Sequence, residues 1–273
     1  MLPLARMLLC LLLLGSSPPA RAGTIQPAGS AADSGATQEP GDSDPRAVAL
    51  LRKVDDLWRG DASHTVMSMR IKTVHYERTL KLEAWSKGKY RTLVNILAPA
   101  KDAGTATLKN NDAIYTYLPR TDRTIKLNAG MMGGSWMGSH FTNDDLVKGS
   151  RLSEDYISHI TFDGQRRGRA ITEVTLLPRP SAAVVWGKIV TQLDSGTDFP
   201  IESAYFDEDM HPARRLVFGE VKDFGGRSAP ATMRLEPADK PGEWTELDYQ
   251  TLQVGAAVGD DTFSLARLQR RGR

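Results

Sequence analysis

One cysteine occurs in 273 residues, and that one, Cys10, lies inside an apolar leader run. A disulfide framework and a cysteine-built metal site are thereby excluded, so stability has to come from packing. Charge of one sign is also missing. Lys and Arg total 35 against 33 Asp and Glu, and the first 22 residues hold two of the arginines and no acid, leaving 33 of each sign after them. Nucleic-acid binding needs clustered cations that neutralise several phosphates. Only Arg267, Arg270, Arg271 and Arg273 run together, so no nucleic-acid partner is expected. Long hydrophobic runs are absent too: residues 7–14 are apolar throughout, well short of the ~20 residues that span a bilayer.

Arg6 before that run and Ala20-Arg21-Ala22 after it read as a secretory signal peptide, residues 1–22, cut after Ala22 and directing the chain to the periplasm. Residues 23–43 are rich in Gly, Ser, Ala, Pro and Thr and read as a flexible linker. Residues 44–268 read as one folded domain and residues 269–273 as a basic tail, a run that can add transient attraction to anionic membrane surfaces. A monomer is expected.

The domain opens with a helix. Asp44-Pro45 supplies an N-cap and a first-turn proline. Leu51, Val54 and Trp58 then recur at helical spacing up to Gly60. From Thr65 the period becomes two. Met67, Met69 and Ile71 fall on one face, and Leu80 and Leu82 share the inward face of the next strand. Thirteen strands follow this pattern to residue 254, separated by Gly, Pro, Asn and Asp turns. The predicted fold is mostly β: a strongly curved antiparallel sheet forming an incomplete, half-open β-barrel. The N-terminal helix and a short mid-chain helix capped by Thr142 or Asn143 cover its concave face. Such a sheet is either filled by its side chains or encloses an apolar cavity.

Catalytic patterns are weak. A nucleophile elbow needs glycine two residues after its serine, and after Ser135 that position is Met137. A phosphate loop needs a Lys-Ser/Thr pair after the glycines, which Gly133-Gly134 lack. His64, His75, His140, His159 and His211 form no i, i+4 pair, so no metal or cofactor is expected. Asp144-Asp145 fits a helix first turn, where the dipole favours acids. Met131, Trp136, Met137 and Phe141 crowd a glycine-rich loop. They are either core plugs or contacts for a ligand of variable shape, and the glycines would let the loop open as a lid.

Two runs carry a resemblance. Tyr-Thr-Tyr-Leu-Pro-Arg-Thr-Asp-Arg-Thr-Ile-Lys spans residues 115–126, and Met-Gly-Ser-His-Phe-Thr-Asn-Asp-Asp-Leu spans residues 137–146. They resemble the LolA-like family of outer-membrane lipoprotein-sorting proteins, in the branch with a Met-Gly-Ser/Thr-x-Phe signature ending in Asp-Asp-Leu. His140 stands where that branch commonly has an acid, a departure that bears on the rim. Phe199-Pro200, Tyr205-Phe206-Asp207, Arg215-Leu216 and residues 261–264 fit as well, extending the resemblance over residues 47–268. It implies a half-open barrel with helices across its mouth, a cavity for acyl chains of lipoproteins or other lipids, no catalytic residues, and an inner-membrane RND/MMPL or ABC exporter as partner.

The expected function is thus a periplasmic, non-enzymatic carrier. Met67, Met69, Ile71, Leu80 and Leu82 would form the cavity wall, Met131, Trp136, Met137 and Phe141 its lid or rim, and Leu51, Val54 and Trp58 the covering helix face. On this reading Met69→Glu would abolish cargo binding in a folded protein. Two alternatives predict otherwise: a transporter accessory with a filled interior, and a hydrolase using Ser135 with His140 or His159.

Overall fold

Thirteen strands form one antiparallel sheet in the computed structural model, which describes residues 42–148 and 151–271. The expected signal peptide and the linker up to residue 41 lie outside the described residues. The strands are β1 (Ala62–Lys72), β2 (Glu77–Lys87), β3 (Arg91–Ala98), β4 (Ala106–Asn110), β5 (Ala113–Leu118), β6 (Arg123–Lys126), β7 (Tyr156–Arg166), β8 (Arg169–Pro178), β9 (Lys188–Asp194), β10 (Pro200–Phe206), β11 (Pro212–Asp223), β12 (Ser228–Pro237) and β13 (Trp244–Val254). Their order is β6-β5-β4-β3-β2-β1-β13-β12-β11-β10-β9-β8-β7. Two meanders therefore meet where β1 pairs antiparallel with β13. The curved sheet is not closed, because β6 and β7 remain edges.

Helix α1 (Pro45–Trp58) starts as the sequence indicated, with the Asp44 side chain accepting from Arg46 N at 2.7 Å and Pro45 in the first turn. It stops at Gly60, whose φ of 51° suits glycine and whose position leaves no room for a side chain, since a Cβ would stand 2.6 Å from Val254 Cγ1. Arg227 donates to the carbonyls of Asp56 at 2.6 Å and Leu57 at 3.4 Å, satisfying the helix end. Ala47, Leu50 and Leu51 bury against Tyr156, Val174, Leu176, Ile189 and Leu193 of β7–β9. Trp58, at the other end, stacks on Phe218 and Tyr249 with ring centroids 5.7 and 6.3 Å apart. Its indole N–H donates to Pro230 O at 3.1 Å. The helix thus crosses the concave face and ties β7–β10 to β11–β13.

Short helices α2 (Asn143–Lys148) and α3 (Leu152–Asp155) connect the meanders. Helix α4 (Leu265–Arg271) covers the opposite face of β2–β5. There Phe263 and Leu268 pack with Trp85, Leu93, Leu108 and Tyr117, while the next residues in line, Ala84 and Val94, point inward. This helix runs past residue 268, where the sequence reading ends the folded domain, and includes three residues assigned there to the tail. The buried Leu268 is the reason.

Candidate functional site

A cavity of about 300 Å³ lies between the concave sheet, α1, α2 and the loop of residues 128–142. That volume is at the lower end for small-molecule sites. Six of the residues picked from sequence line it: Leu51, Val54 and Trp58 from α1, Met67 from β1, and Trp136 and Phe141 from the loop.

The others fall elsewhere, and the placement corrects the sequence reading. Met69, Ile71, Leu80 and Leu82 do share the inward face, with Met67 opposite Leu82 and Met69 opposite Leu80. They are 0% exposed and stop short of the cavity, because the loop packs Met137 and Phe141 down onto this end of the sheet. Met137 belongs to that packed cluster, and Met131 is 43% exposed on a turn away from the cavity. From the sheet, Ala84, Val94, Leu216, Phe218, Met233, Leu235, Leu247 and Tyr249 add to the apolar lining. Each stands in a strand the sequence had located. Assigning them to the wall required the β1–β13 pairing.

The loop is tied rather than loose. Trp136 N donates to Phe141 O at 2.8 Å, and its indole N–H reaches Thr107 Oγ1 at 3.3 Å. Tyr76 donates to Gly138 O at 2.9 Å. The His140 ring, nearly buried, meets Thr245 Oγ1 at 2.8 Å and Glu243 Oε2 at 2.9 Å. That contact to His140 helps hold the Glu243 carboxyl below its usual range. Both ring nitrogens are therefore occupied, and Ser135 Oγ donates to Ser139 O. These bonds position a loop and supply no nucleophile–base pair. Among the described residues, no group of three His, Cys, Asp or Glu side chains could hold a metal ion, and no helix is long and apolar enough to cross a membrane.

Asp145, read from sequence as a first-turn acid, does more. It forms a capping box with Thr142: Thr142 N donates to Asp145 Oδ2 at 2.8 Å and Asp145 N to Thr142 Oγ1 at 3.2 Å. The same carboxylate takes two bonds from Arg214 of β11, at 2.6 and 2.8 Å. Trp186 and Tyr205 hold the guanidinium between their rings at 4.3 and 4.4 Å. One ion pair thus fixes α2 to the sheet beside the cavity.

The end of the cavity near the C-terminus of α1 is polar. Asp55 and Arg59 line it, and burial pushes Asp55 up to about 6 despite Arg59 and Lys89. Behind them Lys109 is 1% exposed and donates to Lys89 O at 2.8 Å. Burial, then repulsion from Arg59 and Arg151, pushes this amine down to about 7 from 10.5. The unfolded chain consequently binds more protons than the folded one between those values, and stability should rise from pH 7 toward 10. Melting temperatures across that range should climb in the native sequence and flatten in Lys109→Met. An equally steep climb in the variant would assign the effect to other groups.

A family model described as an uncharacterized protein matches residues 88–270. No curated protein matches the chain. Among solved structures, a DUF1329 family protein from Desulfovibrio piger superposes with a TM-score of 0.74 at 19% identity, covering 84% of this chain and 100% of that one. An outer membrane lipoprotein-sorting protein domain from Vibrio parahaemolyticus gives 0.71 at 22% identity, over 82% and 99%. A LolA superfamily protein from Nitrosomonas europaea gives 0.67 at 19%, over 81% and 98%.

Proposed function

We propose that this chain, which belongs to the family of uncharacterized proteins matched over residues 88–270 and has a LolA-like fold, is a non-catalytic carrier of acyl chains. It shields the chains of lipoproteins or other hydrophobic cargo in the periplasm, between the inner and outer membranes. The observation that carries this reading is the cavity: about 300 Å³ walled by Trp58, Met67, Val94, Trp136, Phe141 and Tyr249. Lipid needs such a vessel because each CH₂ is worth about 0.8 kcal/mol in an apolar environment, so a chain of ~16 carbons resists leaving a membrane by on the order of 12 kcal/mol. Nothing has to be cleaved in that exchange. An inner-membrane exporter of the RND/MMPL or ABC type is the proposed donor or acceptor.

The test is mass spectrometry of an organic extract from natively purified protein, beside the same protein delipidated and refolded. Stoichiometric lipid in the native sample alone is the expected result. A clean native extract would leave an accessory of a transporter, which should bind its protein partner without lipid.

A further inference from the structure

We infer that the polar end of the cavity is a binding site for the anionic headgroup, carboxylate or phosphate, of a single-chain amphiphile, held by Arg59 with Thr92, Ser63 and Ser86. The inference rests on the carrier reading and narrows its cargo.

Strand register builds the site. Ser63 stands opposite Ser86, Ser86 opposite Thr92, and Thr92 opposite Lys109, so one row of polar side chains crosses β1, β2, β3 and β4 on the concave face. The next positions inward are Thr65 and Ala84, then Met67 and Leu82. From Ser63 to Met67 the wall turns from polar to apolar within about 13 Å of strand. This is the polarity profile of an amphiphile lying head to tail.

Arg59 supplies the charge. Its side chain lines the cavity and, among the described residues, makes one long hydrogen bond, from Nη1 to Thr92 Oγ1 at 3.4 Å, with no carboxylate oxygen within 4.0 Å. A guanidinium has five N–H donors, so most of its capacity is unspent in a cavity that is otherwise mostly apolar. Burial disfavours the charged guanidinium, and Asp55 offsets this only through space, without a hydrogen bond, so an incoming headgroup supplies the hydrogen-bonded anion that the site lacks. Ser63 Oγ and Ser86 Oγ lie 2.7 Å apart, and whichever donates, the other hydroxyl keeps its proton for a ligand.

The charges around the site favour an anion on balance. Asp55, facing Arg59, Lys89, Asp56 and Glu154, is pushed up to about 6 by burial, so at pH 7 it stays mostly charged and is an acid that the incoming anion must outweigh through Arg59 and Lys109. Lys109, facing Arg59, Arg151, Asp112 and Asp55, is a cation held close to losing its proton by burial and by other cations. An anion seated on the row would favour the charged form of Lys109 and add its attraction to that of Arg59. A cationic head would meet Arg59 instead.

The test compares palmitate, hexadecyl phosphate and hexadecanol, three ligands with one chain, titrated into the delipidated protein at pH 7. Charge-assisted hydrogen bonds are worth about 1.5–3 kcal/mol, so at least one anion should bind roughly tenfold or more tighter than the alcohol. Preference for palmitate would indicate a fatty-acid-like cargo, and preference for the phosphate a phospholipid-like one. In Arg59→Gln the preference should disappear while hexadecanol affinity holds, and Arg59→Lys should restore part of it. Equal affinity of the three ligands in the native sequence, or a preference that survives Arg59→Gln, overturns the headgroup site and leaves the carrier standing. Failure of all three to bind overturns both. If Arg59→Gln does not fold, the comparison in the native sequence still decides.

Discussion

Replacing Arg214 with alanine is expected to cost about 3–5 kcal/mol of stability, the range seen when one partner of a buried ion pair is removed. The Arg214 and Asp145 side chains are only 10% and 17% exposed. Without the guanidinium, Asp145 would keep its capping bonds to Thr142 but lose its counter-ion in a site that water scarcely reaches. Trp186 and Tyr205 would lose the group that packs between them. Helix α2 carries Leu146 to the cavity, so the loss should loosen the wall of the site as well as the fold. Urea unfolding of Arg214→Ala, Asp145→Ala and the double variant would measure the pair directly. Strong coupling, with the double variant little worse than either single one, is expected for residues that act together. Additive losses would show that the two side chains stabilise separate things.

The second large effect concerns cargo. Ala84 lies on the cavity wall, opposite Thr65 and Val94. In Ala84→Phe the added ring enters existing space of about 300 Å³, so the usual overpacking penalty of about 1–3 kcal/mol should be largely avoided. The protein should fold and its native extract should hold less than about a tenth of the lipid, because a filled cavity cannot bury a chain. Stoichiometric lipid in a folded Ala84→Phe protein would place the cargo elsewhere. Met69→Glu, the substitution that sequence alone recommends, is a poor probe. Met69 is fully enclosed between Leu80 and Leu247 on the neighbouring strands, and an ionised carboxylate there has no partner. The expected outcome is unfolding, which says nothing about binding.

Period-two alternation located all thirteen strands, and Asp44-Pro45 with Gly60 bounded α1, since side-chain facing and capping are local properties. The same alternation put Met67, Met69 and Ile71 on one face correctly. It could not tell which of the three would meet empty space and which would be packed shut, because that depends on where the loop of residues 128–142 comes down. The reading that ends the domain at residue 268 cuts α4 short for a related reason. The seven residues of this helix show little beyond Leu265 and Leu268 to mark a buried face. The available signal was in the sheet, where Trp85, Leu93 and Leu108 make the supposed outer face of β2–β4 apolar and therefore in need of cover.

What the sequence determined by itself is the class of molecule: a β-rich domain without disulfides, its strand order along the chain, its covering helix, and a resemblance resting on residues 137–146. Only the tertiary structure decided what those residues do. The Asp-Asp pair reads as two acids at a helix start until β11 brings Arg214 to Asp145. Ser63, Ser86, Thr92 and Lys109 are scattered polar residues until antiparallel register sets them in one row under Arg59. Alternation fixes which face a side chain takes, but neighbours across strands are set by register and by the β1–β13 pairing, which are properties of the whole sheet.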